Sequence, residues 1–254
     1  MAKVAVFGLF QNENFFIPYW QNYYGKLFGY ENLYAIGDLE KDYAMKLFDS
    51  KVEKIHYAPQ FNSNFAEHVA IVINMQNQLL QKYETVIFAE ADHIFVPNLN
   101  KYQNLAEFLD KNSDDYLRVT GYNVFHNILE EPLFDPSLPL LKQRKYWYRF
   151  ELEDKQLIVR KPMSQYEWGF HNQCVPHVNA HPDLFNIHLH QYDFNNTNSR
   201  RFSKTIVGNW HVSAGPTSAG SHTWIQDNKL RDSWYEYPNK YGLQLIPEFL
   251  KELL

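Results

Sequence analysis

The segment Phe88-Ala89-Glu90-Ala91-Asp92-His93 places two carboxylates two residues apart, directly after an apolar run. On an extended chain alternate side chains point the same way, so Glu90 and Asp92 can face one point. Side by side they repel unless a cation lies between them. A divalent ion that also bridges diphosphate oxygens would balance that charge and stabilise a departing phosphate. The plainer reading is a strand-end turn whose acids cap the next helix or face water. A second cluster is Asn186-Ile187-His188-Leu189-His190-Gln191-Tyr192-Asp193. Phe185, Ile187 and Leu189 would share one strand face, with His188 and His190 on the other, where one imidazole can complete a metal shell. Nitrogen in a carboxylate site moves the preference from Mg2+ towards Mn2+. Each histidine taken singly can equally be a satisfied structural residue. The pair is also similar to the two alternate histidines and aspartate of metallohydrolases, although Asp193 falls one residue too late for that pattern.

Other polar residues could serve a nucleotide and an acceptor. Asp38 ends an apolar run, and a carboxylate there can accept the ring N–H of uracil or guanine, which cytosine lacks. It can equally cap the segment that follows. In Tyr166-Glu167-Trp168-Gly169-Phe170-His171, Glu167 is a candidate general base for an acceptor hydroxyl, with Asp193 as its competitor. Trp168 and His171 would line the acceptor or donor side. Glu167 on a solvated loop is the bland alternative. Lys161, Arg200, Arg201 and Lys204 could offset diphosphate charge or simply be solvated.

Those residues need a scaffold. Lys3 to Phe10 reads as a buried strand, Phe15 to Phe28 as a helix, and Leu33 to Gly37 as a strand. A short helix over 39–48 and a strand near 52–57 follow. Asn64 with Glu67 resembles a capping box. It opens a helix whose face carries Phe65, Val69, Val72, Leu79 and Tyr83, and Thr85 to Ala89 is the next strand. This alternation predicts an α/β fold, Rossmann-like, with a mostly parallel sheet and ligands beyond the carboxyl ends of its strands. Downstream, strands are expected over 115–122, as two short pieces over 151–160 joined near Asp154 and Lys155, and somewhere within 183–193. A short helix is expected over 247–254, its proline at the first position. No linker divides the 254 residues, so one domain is expected. Its nucleotide-binding half would cover about 1–100 and its irregular acceptor-side half about 101–254.

Composition narrows the classes. The apolar fraction of 45% fits a folded globule. Aromatics reach 17%, enough for a ring-rich core and a few rings stacked on sugars. A net charge of −5 without a basic block argues against a nucleic-acid partner. One cysteine, Cys174, excludes an internal disulfide and fits a reducing compartment. The first ten residues lack the length of a membrane span and the pattern of a signal peptide. A soluble cytoplasmic protein is the expectation, and peripheral membrane contact is compatible with it.

In order, these features resemble a bacterial branch of the family 2-like glycosyltransferases with the GT-A fold. Gln11-Asn12-Glu13 looks like that group's Lys-Asn-Glu turn, and Glu90-Ala91-Asp92 stands where the group carries Asp-x-Asp. The aromatic helix through Trp20 and Gly29, then Leu33 to Asp38, continues the likeness. So do Lys161-Pro162, Trp168-Gly169-Phe170-His171, Pro182-Asp183-Leu184-Phe185 and His188-Leu189-His190. It spans roughly residues 3–193, and the stretch after Asn195 matches nothing in the group. Gln11 replaces a lysine and Glu90 an aspartate, which leaves Asp92 the more secure direct ligand.

The resemblance implies nucleotide and metal binding through Asn12, Glu13, Asp38, Glu90 and Asp92, with a downstream histidine, His188 or His190, near Mn2+ or Mg2+. It also implies inversion at the anomeric carbon. The resulting expectation is a hexosyltransferase that moves sugar from a nucleotide-sugar donor, UDP-sugar preferred, to a glycan or glycolipid acceptor in surface polysaccharide assembly. Two rival classes follow from the same residues. One is a metal-dependent phosphohydrolase, which would release phosphate. The other is a non-catalytic carbohydrate-binding module, which would need no nucleotide.

Overall fold

The computed structural model describes residues 3–57, 65–170, 174–194 and 227–254, which group into two compact units. The first unit takes residues up to 58, 65–122 and 150–188; the second takes 59–64, 123–149 and 189–254.

The first unit is an α/β fold built on a parallel sheet. Strands β1 (Val4–Leu9), β2 (Leu33–Gly37), β3 (Glu53–His56) and β4 (Thr85–Phe88) stand in the order β3-β2-β1-β4. All three pairings are parallel, with Phe7 opposite both Tyr34 and Phe88. Val4 to Phe7 and all of β4 are buried. That is why these strands are unbroken apolar runs rather than alternating ones. Helices α1 (Ile17–Phe28) and α2 (Phe65–Leu79) make the crossovers. Pro18 lies in the first turn of α1, where no N–H is required. In α2, His68, Val72, Met75 and Leu79 form the buried stripe at helical spacing.

Beyond β4 the pattern changes. Strand β5 (His93–Pro97) begins only a tight turn later, before α3 (Leu105–Lys111) and β6 (Tyr116–Phe125). Strand β8 (Ile158–Val159) pairs antiparallel with both β4 and β6. Strands β9 (Gln165–Tyr166) and β10 (Cys174–Val175) form a small ribbon. Strand β11 (Ala180–His188) runs antiparallel to β5, with His188 directly opposite His93.

The second unit holds strand β7 (Tyr146–Arg149), helix α4 (Asp227–Tyr241) and strand β12 (Gln244–Leu245), which pairs with β7. Its core is ring-rich: Trp234 stacks on Phe125 with centroids 5.1 Å apart and donates its indole N–H to the His126 carbonyl at 2.7 Å. Arg144 is fully buried; it donates through Nε to the Tyr192 carbonyl at 2.6 Å and through Nη2 to Asp193 Oδ1 at 3.1 Å.

Three expected elements differ. The span 39–48 is a 3-10 turn over Tyr43–Leu47 rather than a helix, because the side chains of Asp38 and Asp42 take the nearby amides. The span 151–160 is mostly irregular, with a 3-10 turn over Glu151–Glu153 and only Ile158–Val159 as strand. The chain's end holds a 3-10 turn over Glu248–Leu250 rather than a helix. Asn64 of the expected capping box lies outside the described residues. No helix among the described residues is long and apolar enough to cross a membrane.

Candidate functional site

The carboxyl end of β4 leads straight into the turn Glu90-Ala91-Asp92, closed by the His93 N–H donating to the Glu90 carbonyl at 3.0 Å. The two acids therefore sit on a turn, not on an extended strand. Helix α1 clamps this turn from one side. Trp20 Nε1 donates to the Ala89 carbonyl at 3.1 Å, and the Tyr24 hydroxyl meets both the His93 carbonyl and the Phe95 N–H at 3.1 Å. Several of the abundant aromatics are thus anchors whose polar tips hold the backbone of the site.

Asp92, His93 and His188 offer ligand atoms that all lie within 4.8 Å of one another. Asp92 Oδ2 stands 3.5 Å from His188 Nε2, and the two imidazoles meet edge to face with centroids 4.9 Å apart. The antiparallel register of β5 and β11 places the two rings opposite each other, so strand pairing positions them. His93 is 1% exposed, and its Nδ1 is buried without a hydrogen-bond partner. A buried ring nitrogen is ordinarily satisfied, so this one is available to an ion. An aspartate oxygen with two imidazole nitrogens suits Mn2+, Co2+ or Zn2+ better than Mg2+.

Beneath this trio lies a buried charge network. Glu90 Oε2 accepts from Lys155 Nζ at 2.6 Å, and Lys155 Nζ also stands 3.2 Å from Glu153 Oε2. Glu153 in turn faces His93 Nε2 at 3.2 Å and His188 Nδ1 at 3.7 Å. Burial pushes the Glu153 carboxyl up, but His188, Lys155 and His93 outweigh it and hold the group well below the usual range. Burial likewise opposes the Lys155 ammonium, yet Glu153 and Glu90 keep it above its ordinary value. Glu90 follows the same logic: burial raises it, and Lys155 and His93 bring it below its usual value. His188 is raised, with Glu153 and Asp92 overcoming the desolvation that would lower it. Glu153 can turn in this close because residue 121 is glycine. A Cβ there would stand 2.4 Å from Glu153 Cβ and 2.5 Å from its carbonyl carbon.

The other expected residues take these places. Asn12 is exposed, in the left-handed region with φ of 56°, and its N–H donates to Asp42 Oδ2 at 2.8 Å. Glu13 is buried. Asp38 follows β2, and its Oδ1 accepts from the amides of Glu40 and Lys41, both at 3.0 Å. Glu167 is half-buried, and its carbonyl accepts from the Phe170 N–H at 3.0 Å. Gly169 and Phe170 next to it are both left-handed, at φ of 74° and 60°, and the Phe170 ring is held by Phe88 and Tyr166. Trp168 belongs to the same turn by its backbone; His171 lies outside the described residues. His190 and Asp193 belong to the second unit, where Asp193 Oδ1 pairs with Arg144 and with His126 Nδ1 at 3.3 Å. Of the acids and histidines predicted at a metal, Asp92 and His188 come together.

Four contributors were not read from the sequence: His93, Glu153, Lys155 and Asp42. His93 carried a usable signal, since it stands directly after Asp92 and opens the apolar run Ile94-Phe95-Val96. Asp42 carried the spacing of a cap. Glu153 and Lys155 read as a charged turn, and only the tertiary fold buries them.

No family model matches the chain. Among characterised proteins, Actin-binding protein F of Dictyostelium discoideum is 21% identical over 157 residues, a stretch that is 60% of this chain but 6% of that protein. Among solved structures, mannose-1-phosphate geranyltransferase of Thermus thermophilus aligns at 10% identity with a TM-score of 0.34, over 63% of this chain and 50% of its own. The mannosyltransferase Ktr4p of S. cerevisiae aligns at 16% identity with a TM-score of 0.26, over 50% of this chain and 40% of its own. Its complex with GDP gives the same identity and score over 41% of its length. The chain thus spans half or less of the solved proteins it resembles.

Proposed function

We propose that the protein is a metal-dependent glycosyltransferase that moves a hexose from a nucleotide-sugar donor to a glycan or glycolipid acceptor, with inversion, in surface polysaccharide assembly. The observation that carries this reading is the Asp92, His93 and His188 cluster, its ligand atoms within 4.8 Å, just beyond the carboxyl end of a central parallel strand. Nucleotides bind such sheets at that edge. When bound, a divalent ion there neutralises the donor's diphosphate and the charge that builds on it as the sugar leaves.

The chain's own groups supply the rest. The turn bearing Asn12, held by Asp42, and the carboxylate of Asp38 would orient the nucleoside, with a uracil ring N–H as the preferred donor to Asp38. Glu13, buried beside that turn, would fix its shape. Glu90 already has a cation in Lys155, which leaves it free to face the ribose rather than carry the ion directly. Glu167, half-buried on the turn whose carbonyl accepts from the Phe170 N–H, would be the base that takes the acceptor proton. Asp193, paired with Arg144, is the second candidate, and His190 the second histidine. Trp168 and His171 would line the sugar side. A protein of this kind would meet lipid-linked acceptors by peripheral contact with the membrane.

The test is turnover of UDP-sugars and GDP-sugars with Mn2+, with chelator, and in Asp92→Ala. The expected result is release of intact nucleoside diphosphate, lost with chelator and lost in the variant. Release of inorganic phosphate would establish the phosphohydrolase instead. Glycan binding without nucleotide or turnover would establish the binding module.

A further inference from the structure

We infer that Asp92, His93 and His188 form a resident transition-metal site that fills without nucleotide, and that Glu153 is its positioning residue. This deepens the reading above at the same cluster, but it concerns the ion's affinity for the chain alone.

The geometry assigns the ring nitrogens. His93 Nε2 is occupied by Glu153 Oε2 at 3.2 Å, which leaves Nδ1, buried and unpartnered, as its ligand atom. His188 turns Nδ1 towards Glu153 Oε1 at 3.7 Å, an ion-pair rather than a hydrogen-bond distance, and Nε2 towards Asp92 Oδ2 at 3.5 Å. One carboxylate therefore addresses the far nitrogen of both imidazoles, as outer carboxylates do behind metal-bound histidines, where they fix ring orientation and tautomer. Glu153 is itself held in place. Lys155 Nζ stands 3.2 Å from it, Asn186 Nδ2 donates to its Oε2 at 3.4 Å, and Gly121 leaves room for its backbone. The ligands sit at the first residue of β5, the last residue of β11 and a turn clamped by α1, so little ordering remains to be done on binding. A site supplied only by carboxylates would wait for the donor's phosphates to complete it; two imidazoles remove that dependence and favour Co2+ or Mn2+ over Mg2+.

The experiment is titration of Co2+ into the metal-stripped chain without nucleotide, followed by its visible absorption. The expected result is saturable binding at one equivalent, with bands typical of nitrogen ligation that a tenfold excess of Mg2+ does not displace. His93→Ala should abolish the bands. Glu153→Gln should weaken binding on the order of 10–100-fold and shift the bands, while Asp92 and both histidines remain. The double variant Glu153→Gln/Lys155→Met removes both buried charges; it should keep the weakened affinity while melting closer to the parent than Glu153→Gln does, separating positioning from stability. Absence of Co2+ binding without nucleotide, or parental binding in His93→Ala, would overturn the site. Parental affinity and bands in Glu153→Gln would overturn the role of Glu153. Turnover with donor but no binding without it sinks this inference and spares the transferase; binding without turnover does the reverse.

Discussion

Lys155→Met isolates the charge network beneath the candidate metal centre. The substitution keeps most of the side chain's volume and removes one ammonium from between Glu90 and Glu153. Breaking a fully buried ion pair by deleting one partner costs ~3–5 kcal/mol, because the survivor is left buried and uncompensated. That figure bears on the Glu153 side, where the carboxylate is 7% exposed. His93, His188 and Asn186 still face it without Lys155, so the low end of the range applies. Glu90 is 35% exposed, so water screens its share and adds little. A loss of about 3 kcal/mol follows, and at ~2–4 °C per kcal/mol for a chain of this size the melting temperature should fall about 6–12 °C. The assay is thermal unfolding by circular dichroism with chelator present, so that no bound ion contributes. Adding Glu153→Gln should recover about half of the loss, since the deeply buried anion is then gone and only the part-exposed Glu90 carboxylate lacks its lysine. A single variant within ~0.5 kcal/mol of the parent would behave like a surface substitution and refute the network.

Two further outcomes are expected. Gly121→Ala drives a methyl into Glu153, including its backbone, so it should lower Co2+ affinity about as far as Glu153→Gln does, read in the same titration. Burial pushes the Cys174 thiol up, partly countered by Arg118. The thiolate, its reactive form, is therefore scarce near neutral pH and grows only as the solution becomes more alkaline. A thiol reagent at pH 7 should label the native chain at least about tenfold more slowly than the denatured chain.

The parallel half of the fold was legible because each of its buried strands is an apolar run with turn residues at its ends, as in Lys3 to Phe10 and Thr85 to Ala89. Period and length suffice for such elements. Asp92 is legible because it stands two residues past Glu90 at the end of such a run, and two acids so close together call for a cation. His188 was legible from its alternation with His190. The rest of the site depends on packing that no local pattern records. Glu153, Asp154 and Lys155 look solvated in a sequence, and they are buried only because Gly121, the histidines and Glu90 receive them. His93 reads as the tail of the acidic motif because its strand begins at that very residue. Over 39–48 the helical spacing conceals the competing hydrogen bonds that Asp38 and Asp42 make.

Anomalous diffraction from crystals soaked in MnCl2 and UDP would test the account most directly. It predicts a single manganese peak bounded by Asp92, His93 Nδ1 and His188 Nε2, with diphosphate oxygens on its open side and the base near Asp38. A nucleotide bound away from this cluster, or manganese held elsewhere while these three side chains stay vacant, would contradict it.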